Sequence, residues 1–242
     1  IRDIKFVWGE GMEDPTIPPP PAGRDWSGEF TLDISGKSGN TDKFNAGAGA
    51  SATLAGPDDK LRLYVTGKYE RESGITSTEE YIGGIDFERN IADTRSAWYA
   101  RYEIEQEETS GLSLRHEVGL GYGYYFLKDD ITTLRGRVGF TGATKEYTDG
   151  SHDDALGIEM ALHFERKIDE WGKLVSDLTY QPTFEDLGNF RLIHESALDI
   201  PVLVSVPLNL RIGMKNEYNS QVAEGTEHME TSYFAKIVYK WN

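Results

Sequence analysis

Along most of the chain, apolar and polar residues take turns. From Trp26 to Ser35, Trp26, Gly28, Phe30, Leu32 and Ile34 hold one set of alternate positions, and Ser27, Glu29, Thr31, Asp33 and Ser35 hold the other. Successive side chains of a strand point to opposite faces. This period of two therefore predicts a strand with one apolar face and one face of carboxylates and hydroxyls. Gly36, Gly39, Asn40 and Asp42 come next, residues that tolerate positive φ or bond to their own backbone, and they predict a hairpin turn.

The same pattern recurs in about twelve segments: 26–36, 44–55, 61–71, 79–88, 95–106, 112–126, 131–144, 155–166, 172–182, 190–201, 207–218 and 229–241. In one of the clearer cases Leu156, Ile158, Met160, Leu162 and Phe164 oppose Gly157, Glu159, Ala161, His163 and Glu165. Segments 44–55 and 190–201 alternate less cleanly, the first because Gly and Ala dominate it. No stretch of ten or more residues carries a helical period. Every second connection reads as short: 56–59, 90–93, 128–130, 169–170 and 205–207. The others read as longer and more acidic: 37–43, 72–78, 106–111, 145–154, 183–189 and 219–228. Short turns alternating with longer loops fit an up-and-down barrel with tight periplasmic turns and longer outer loops, both chain ends lying on the periplasmic side.

Residues 1–25 differ in kind. Pro15 and the run Pro18-Pro19-Pro20-Pro21 favour polyproline II and cannot enter a sheet interior, so this part is expected to be a proline-rich periplasmic leader ahead of a barrel over 26–242. The chain opens on Ile1-Arg2-Asp3 rather than Met and shows no signal peptide, as a processed mature form would.

Composition narrows the picture. A formal net charge of −16 argues against nucleic acid as a partner, because phosphate binding needs a basic surface. The absence of cysteine removes disulfide scaffolds and thiolate metal sites. A mean hydropathy of −0.52 and the lack of any apolar run near about 18 residues exclude membrane helices. Neither fact bears on a membrane barrel, in which only alternate residues meet lipid.

A soluble sandwich or ligand-binding barrel would also alternate, with its apolar face turned inward. Four features favour lipid. Twelve strands in one meander exceed the eight of a small soluble barrel, and an open sheet of that length would leave two edges. The polar face carries both signs of charge, as facing walls of a lumen would. Aromatics gather near segment ends, with Trp26, Trp98, Tyr122, Tyr124, Phe164, Trp171, Tyr239 and Trp241 toward the periplasmic rim. Tyr69, Phe140, Tyr180, Phe190, Tyr218 and Tyr233 fall toward the outer rim. The terminal segment also ends on Tyr239 and Trp241, followed by Asn242 where an aromatic-ended outer membrane strand would stop. The fold expected is an all-β, up-and-down antiparallel transmembrane barrel of about twelve strands, of outer membrane type.

Three stretches resemble a known family: Trp26-Ser27-Gly28-Glu29 with Ser38-Gly39-Asn40-Thr41, then Gly119-Leu120-Gly121-Tyr122, then the Tyr-rich last segment. Over residues 26–242 the chain resembles the YdiY-like salt-induced outer membrane proteins, a family of unknown function. The resemblance implies a Gram-negative outer membrane barrel and brings no catalytic residues with it.

The residues expected to line the lumen are Glu29, Asp33, Arg62, Lys68, Arg101, Arg115, Glu117, Arg135, Arg137, Glu159, Arg211 and Lys215. The interface aromatics are expected to be Trp26, Trp98, Tyr122, Phe164, Trp171, Tyr239 and Trp241. No G-x-S-x-G, H-E-x-x-H or phosphate loop occurs. His152 and His228 stand beside carboxylates in outer loops, where a solvated acidic loop is the simpler reading than a metal site. His163 points to the lumen between Glu159 and Glu165. His116 and His194 take the lipid-facing register, where the outer membrane phospholipase, another barrel, carries a Ser, His and Asn. No Ser and Asn register beside His116, so no catalytic constellation is identified, and neither cofactor nor metal is expected.

The acidic outer loops, among them Glu72, Glu105, Glu107, Glu108, Asp149, Asp153, Asp154, Glu185, Asp186, Glu224 and Glu227, suggest divalent cations bridging lipopolysaccharide. The leading expectation is a narrow, porin-like pore or structural envelope barrel with a charged lumen. Its partners would be outer membrane lipids and lipopolysaccharide, and small ions or solutes. A lipid-modifying barrel enzyme and a soluble ligand-binding barrel are the alternatives.

Overall fold

Twelve strands follow one another in the computed structural model. They are β1 (Asp25–Lys37), β2 (Lys43–Ala55), β3 (Asp59–Glu72), β4 (Ile75–Asn90), β5 (Ser96–Glu107) and β6 (Leu112–Lys128). The second half comprises β7 (Thr132–Tyr147), β8 (His152–Ile168), β9 (Gly172–Pro182), β10 (Phe190–Leu203), β11 (Val206–Asn219) and β12 (Met229–Trp241). The structure describes residues 23–37, 43–107, 112–169, 171–203, 206–222 and 227–242. The proline-rich leader, apart from its last residues, and the Ser38–Asp42 turn lie outside the described residues. The strands run from 11 to 17 residues, long enough for the roughly 9–11 that a tilted strand needs to cross hydrocarbon.

Each strand pairs antiparallel with its sequence neighbours, and β1 pairs with β12, so the sheet closes. The closure is short. Only Gly28–Leu32 of β1 are in register with Trp241–Ile237 of β12. By contrast, β1 pairs with β2 along its whole length, from Asp25↔Ala55 to Lys37↔Lys43.

The alternation sets which face is apolar. Phe30, Leu32, Ile34, Val65, Leu120, Val138, Phe140, Leu156, Met160 and Tyr233 are exposed on the outside, Phe140 to 68%. The buried residues among those described are mostly polar: Glu88, Ser96, Glu105, Arg115, Glu117, Glu159 and Asp199, with Ala97, Tyr99, Ala197 and Val238 as the apolar minority. A soluble barrel around an apolar ligand would show the reverse. This is an all-β closed barrel of outer membrane type, apolar outside and charged within.

Two connections depart from the sequence reading. The stretch 72–78 was expected to be a long outer loop. Instead β3 and β4 extend toward each other and join through Ser73 and Gly74, with φ of 49° and 87°. Positive φ at both central residues is the geometry that matches strand twist in a two-residue hairpin, and Gly74 supplies the freedom it needs. Likewise 145–154 contracts to the four residues between Tyr147 and His152. Among the fully described outer connections, only 183–189 is long.

Candidate functional site

The interior is cross-linked by ion pairs that reach over intervening strands. Arg101 on β5 donates to Glu117 on β6 and to Glu159 on β8, three strands away. Gln181 on β9 donates to the same two carboxylates at 3.0 and 3.2 Å. Arg115 donates to Glu105 at 2.9 Å and also to Glu117. On the next tier Arg137 of β7 grips Asp86 of β4 with both terminal nitrogens, at 2.6 and 2.9 Å, and also reaches Glu88. Arg135 and the Tyr125 hydroxyl complete the shell of Glu88. Bidentate guanidinium–carboxylate pairs are the strong form of this contact, and here they tie the β4–β9 wall together.

Glycines make room for these side chains. Gly119, Gly121 and Gly123 fall on the lumen face of β6. A Cβ on Gly119 would lie 3.2 Å from Arg101, and one on Gly121 would lie 2.7 Å from the Tyr99 ring. Tyr99 is 1% exposed, donates to Glu159 at 3.1 Å, and carries the Arg137 guanidinium 4.5 Å above its ring. The Gly119-Leu120-Gly121-Tyr122 motif thus reads physically as a floor for a Tyr–Arg layer, with Leu120 and Tyr122 facing outward.

A second network lies on β10, β11, β12 and β1. Arg211 meets Asp199 at 2.6 and 3.0 Å and Glu29 at 3.0 Å through two nitrogens, while Lys240 donates to Asp199 at 2.8 Å. Arg191 pairs with Glu217 at 2.7 Å. Between the tiers a cavity of about 260 Å³ is lined by Arg101, Arg115, Arg135, Arg137 and Arg191, by Glu103, Glu117, Glu159 and Asp177, and by His163, which bonds Asp177 at 2.7 Å.

Of the twelve residues read as lumen-lining, the structure joins Glu29 to Arg211 and gathers Arg101, Arg115, Glu117, Arg135, Arg137 and Glu159 around the cavity. Asp33 lies over Gly47, and Arg62 lies 5.3 Å from the Tyr64 ring. Lys68 pairs with Glu70, and Lys215 with Glu217. Asp86, Glu88, Arg191, Asp199 and Lys240 were missed. For Asp86 and Glu88 the signal was present, since Ile85-Asp86-Phe87-Glu88 alternates.

Several loop carboxylates hold other posts. Glu105 is not in an outer loop but buried in the lumen with Arg115. Glu72 pairs with Lys43 at 3.0 Å. Asp149 accepts from the Ser151 amide and hydroxyl, which holds its carboxyl below the usual range, and Asp186 accepts from the Gly188 amide within its own loop. Among the described residues no three His, Asp or Glu side chains are grouped to hold a metal ion.

The expected interface aromatics Trp26, Trp98, Tyr122, Trp171 and Tyr239 are exposed, and Phe164 is half-buried. Trp241 differs: its indole packs over Gly28, where a Cβ would come within 2.6 Å of the ring. At the other rim Tyr180, Phe190, Tyr218 and His228 form a continuous run of ring contacts.

The outward histidines separate. His116 meets the Tyr102 hydroxyl at 2.7 Å and has no serine partner. His194, not His116, has Ser196, Ser176 and Asn216 around it. Asn216 lies directly opposite His194, but 22 residues later in the chain.

No curated protein matches the sequence. Among solved structures the NanC porin superposes with a TM-score of 0.51 at 10% identity, covering 89% of this chain and 98% of that one. The translocator domain of autotransporter NalP from Neisseria meningitidis gives 0.47 at 10% identity, over 93% and 90% of the two chains. An anion-selective porin from Comamonas acidovorans gives 0.42 at 9%, over 91% and 100%. At such identity the likeness to the NanC porin concerns the fold alone. Family membership is closer to hand: the chain belongs to the family described as "Protein of unknown function, DUF481", whose profile matches residues 31–241.

Proposed function

We propose that the protein resides in the outer membrane and is a narrow passage for ions and small polar solutes, constricted where Arg101 meets Glu117 and Glu159. The observation that carries this reading is the cavity of about 260 Å³ at that level, walled by five guanidiniums and four carboxylates. Charged walls hold water, and water is the medium in which ions cross. A barrel of twelve strands is narrower than the sixteen-stranded porins, so side chains that reach three strands across set the bore.

Planar-bilayer recording of the purified protein tests it. The wild type should give small single-channel currents, and Arg101→Ala should enlarge them by removing the side chain that spans β5 to β8. Silence from both proteins would overturn the reading and leave a closed structural barrel in its place.

A further inference from the structure

We propose that His194, Ser196 and Asn216, on the lipid-facing side of β10 and β11, form a hydrolytic triad for the acyl esters of outer-leaflet lipids. The proposal does not depend on the lumen conducting, since the three residues face away from it.

The geometry is that of a nucleophile, a base and an orienting group. Ser196 Oγ lies 2.9 Å from His194 Nε2, and Asn216 Nδ2 lies 3.4 Å from His194 Nδ1. A half-turn of the Asn216 amide places Oδ1 on Nδ1–H instead. It keeps the 2.8 Å bond to the Thr231 hydroxyl, which can donate or accept. Serine, histidine and a third side chain fixing the imidazole are recognised by these roles rather than by their order in the chain.

The surroundings make a purely structural role a poor account. Leu192 stands above the cluster, level with Tyr180 and Tyr218, and Leu198 stands below, level with Leu174 and Ile212. Polar side chains set inside an apolar, lipid-facing band are costly, and where they occur they mark function by default. The row Tyr180–Leu192–Tyr218 is part of the aromatic rim. His194 sits two residues beneath it, about 5 Å along the membrane normal for a tilted strand. That is the depth at which lipid headgroups give way to their acyl esters.

In the reaction, Ser196 Oγ attacks the ester carbonyl carbon while His194 Nε2 takes the hydroxyl proton. The tetrahedral oxyanion collapses, the ester C–O bond breaks, and His194 returns the proton to the departing alcohol. Water then attacks the acyl-serine with His194 again as base, which releases the fatty acid and restores Ser196. Barrel backbone amides are engaged in the ladder, so an oxyanion donor must be a side chain. The Ser176 hydroxyl, 2.8 Å from Ser196 Oγ and 3.3 Å from His194 Nε2, is placed to serve.

The test uses the full chain in mixed micelles with phosphatidylethanolamine in one arm and lipopolysaccharide in the other. It reads released fatty acid, and in parallel the serine labelled by an alkyl fluorophosphonate. Ser196 should carry the label. Ser196→Ala and His194→Ala should lower acyl release by roughly 10³-fold or more, and Ser176→Ala by about 10²-fold. Glu195→Gln, which alters the lumen side of the same strand, should leave release unchanged. Heat-dependent gel mobility of every variant reports whether the barrel has folded. Release in the first arm alone names phospholipid as the substrate, and release in the second alone names lipopolysaccharide. Absence of both release and label in the folded wild type would overturn the proposal, as would undiminished release by Ser196→Ala.

Discussion

The phenol of Tyr99 on β5 rests on Gly139 of β7, two strands along the wall: a Cβ at position 139 would come within 2.5 Å of Tyr99 Oη. The same placement lets Tyr99 donate to Glu159 and lie under Arg137. Gly139→Val should push the ring out and break both contacts. Overpacking a filled interior costs about 1–3 kcal/mol. Urea unfolding from lipid vesicles should show that loss, and Tyr99→Ala in the same background should not restore it, because the Leu120 carbonyl oxygen, 2.4 Å from that Cβ, stays in place.

Arg101 is shared between Glu117 and Glu159, and each of these side chains is at most 13% exposed. Replacing Arg101 by Met leaves Glu159 without the guanidinium it pairs with, facing Glu117, which keeps Arg115. Breaking a buried pair from one side costs about 3 kcal/mol or more, so the midpoint of vesicle unfolding should fall accordingly. The triple variant R101M/E117Q/E159Q should recover part of the loss, because it removes the two facing charges as well.

Leu120 and Gly121 are neighbours in sequence but face lipid and lumen respectively. Leu120→Arg should cost roughly 2–4 kcal/mol, as a guanidinium at the middle of a lipid-facing band does. Arginine at Thr179, a lumen position beside the cavity, should cost much less. Folding yield into vesicles compares the two directly.

The β1–β12 seam is in register only at Gly28–Leu32 with Trp241–Ile237. Thr31 and Val238 are paired within that segment, so cysteines there stand at disulfide distance. Asp33 and Lys236 lie just past its end. In this cysteine-free chain, T31C/V238C should oxidise readily to a faster-migrating species and D33C/K236C should not. Equal oxidation of both pairs would mean the ladder continues toward the outer rim. Gly28→Ala, by displacing the Trp241 ring, should weaken the same seam.

Asp129 closes the β6–β7 turn by accepting from the amides of Ile131 at 2.9 Å and Thr132 at 2.7 Å, which holds its carboxyl below the usual range. A depressed folded-state value means the carboxylate form is the stabilising one. The contribution is therefore present at neutral pH and disappears as pH falls below about 4. Asp129→Ala should lower the thermal midpoint slightly at pH 7, and the difference from wild type should shrink as the pH is taken down through the acid range.

The sequence by itself determined the strands, their faces and the kind of barrel. Alternation is a local property, written into consecutive residues, so β9 at 172–182 and β12 at 229–241 were legible to the residue. Inward positions such as Arg101, Arg137, Glu117 and Glu159 followed from the same count, whereas Glu88, Glu105 and Arg191 did not. Only the tertiary structure decided which inward residue meets which. A period of two states a face, not the residue opposite, and register depends on turn geometry and on how twelve tilted strands close. That is why the span from Arg101 to Glu159 could not be read from the chain. It is also why the surroundings of His194 are not legible in the chain: Ser196 is two residues away, but Asn216 becomes a neighbour only when β10 and β11 are laid side by side.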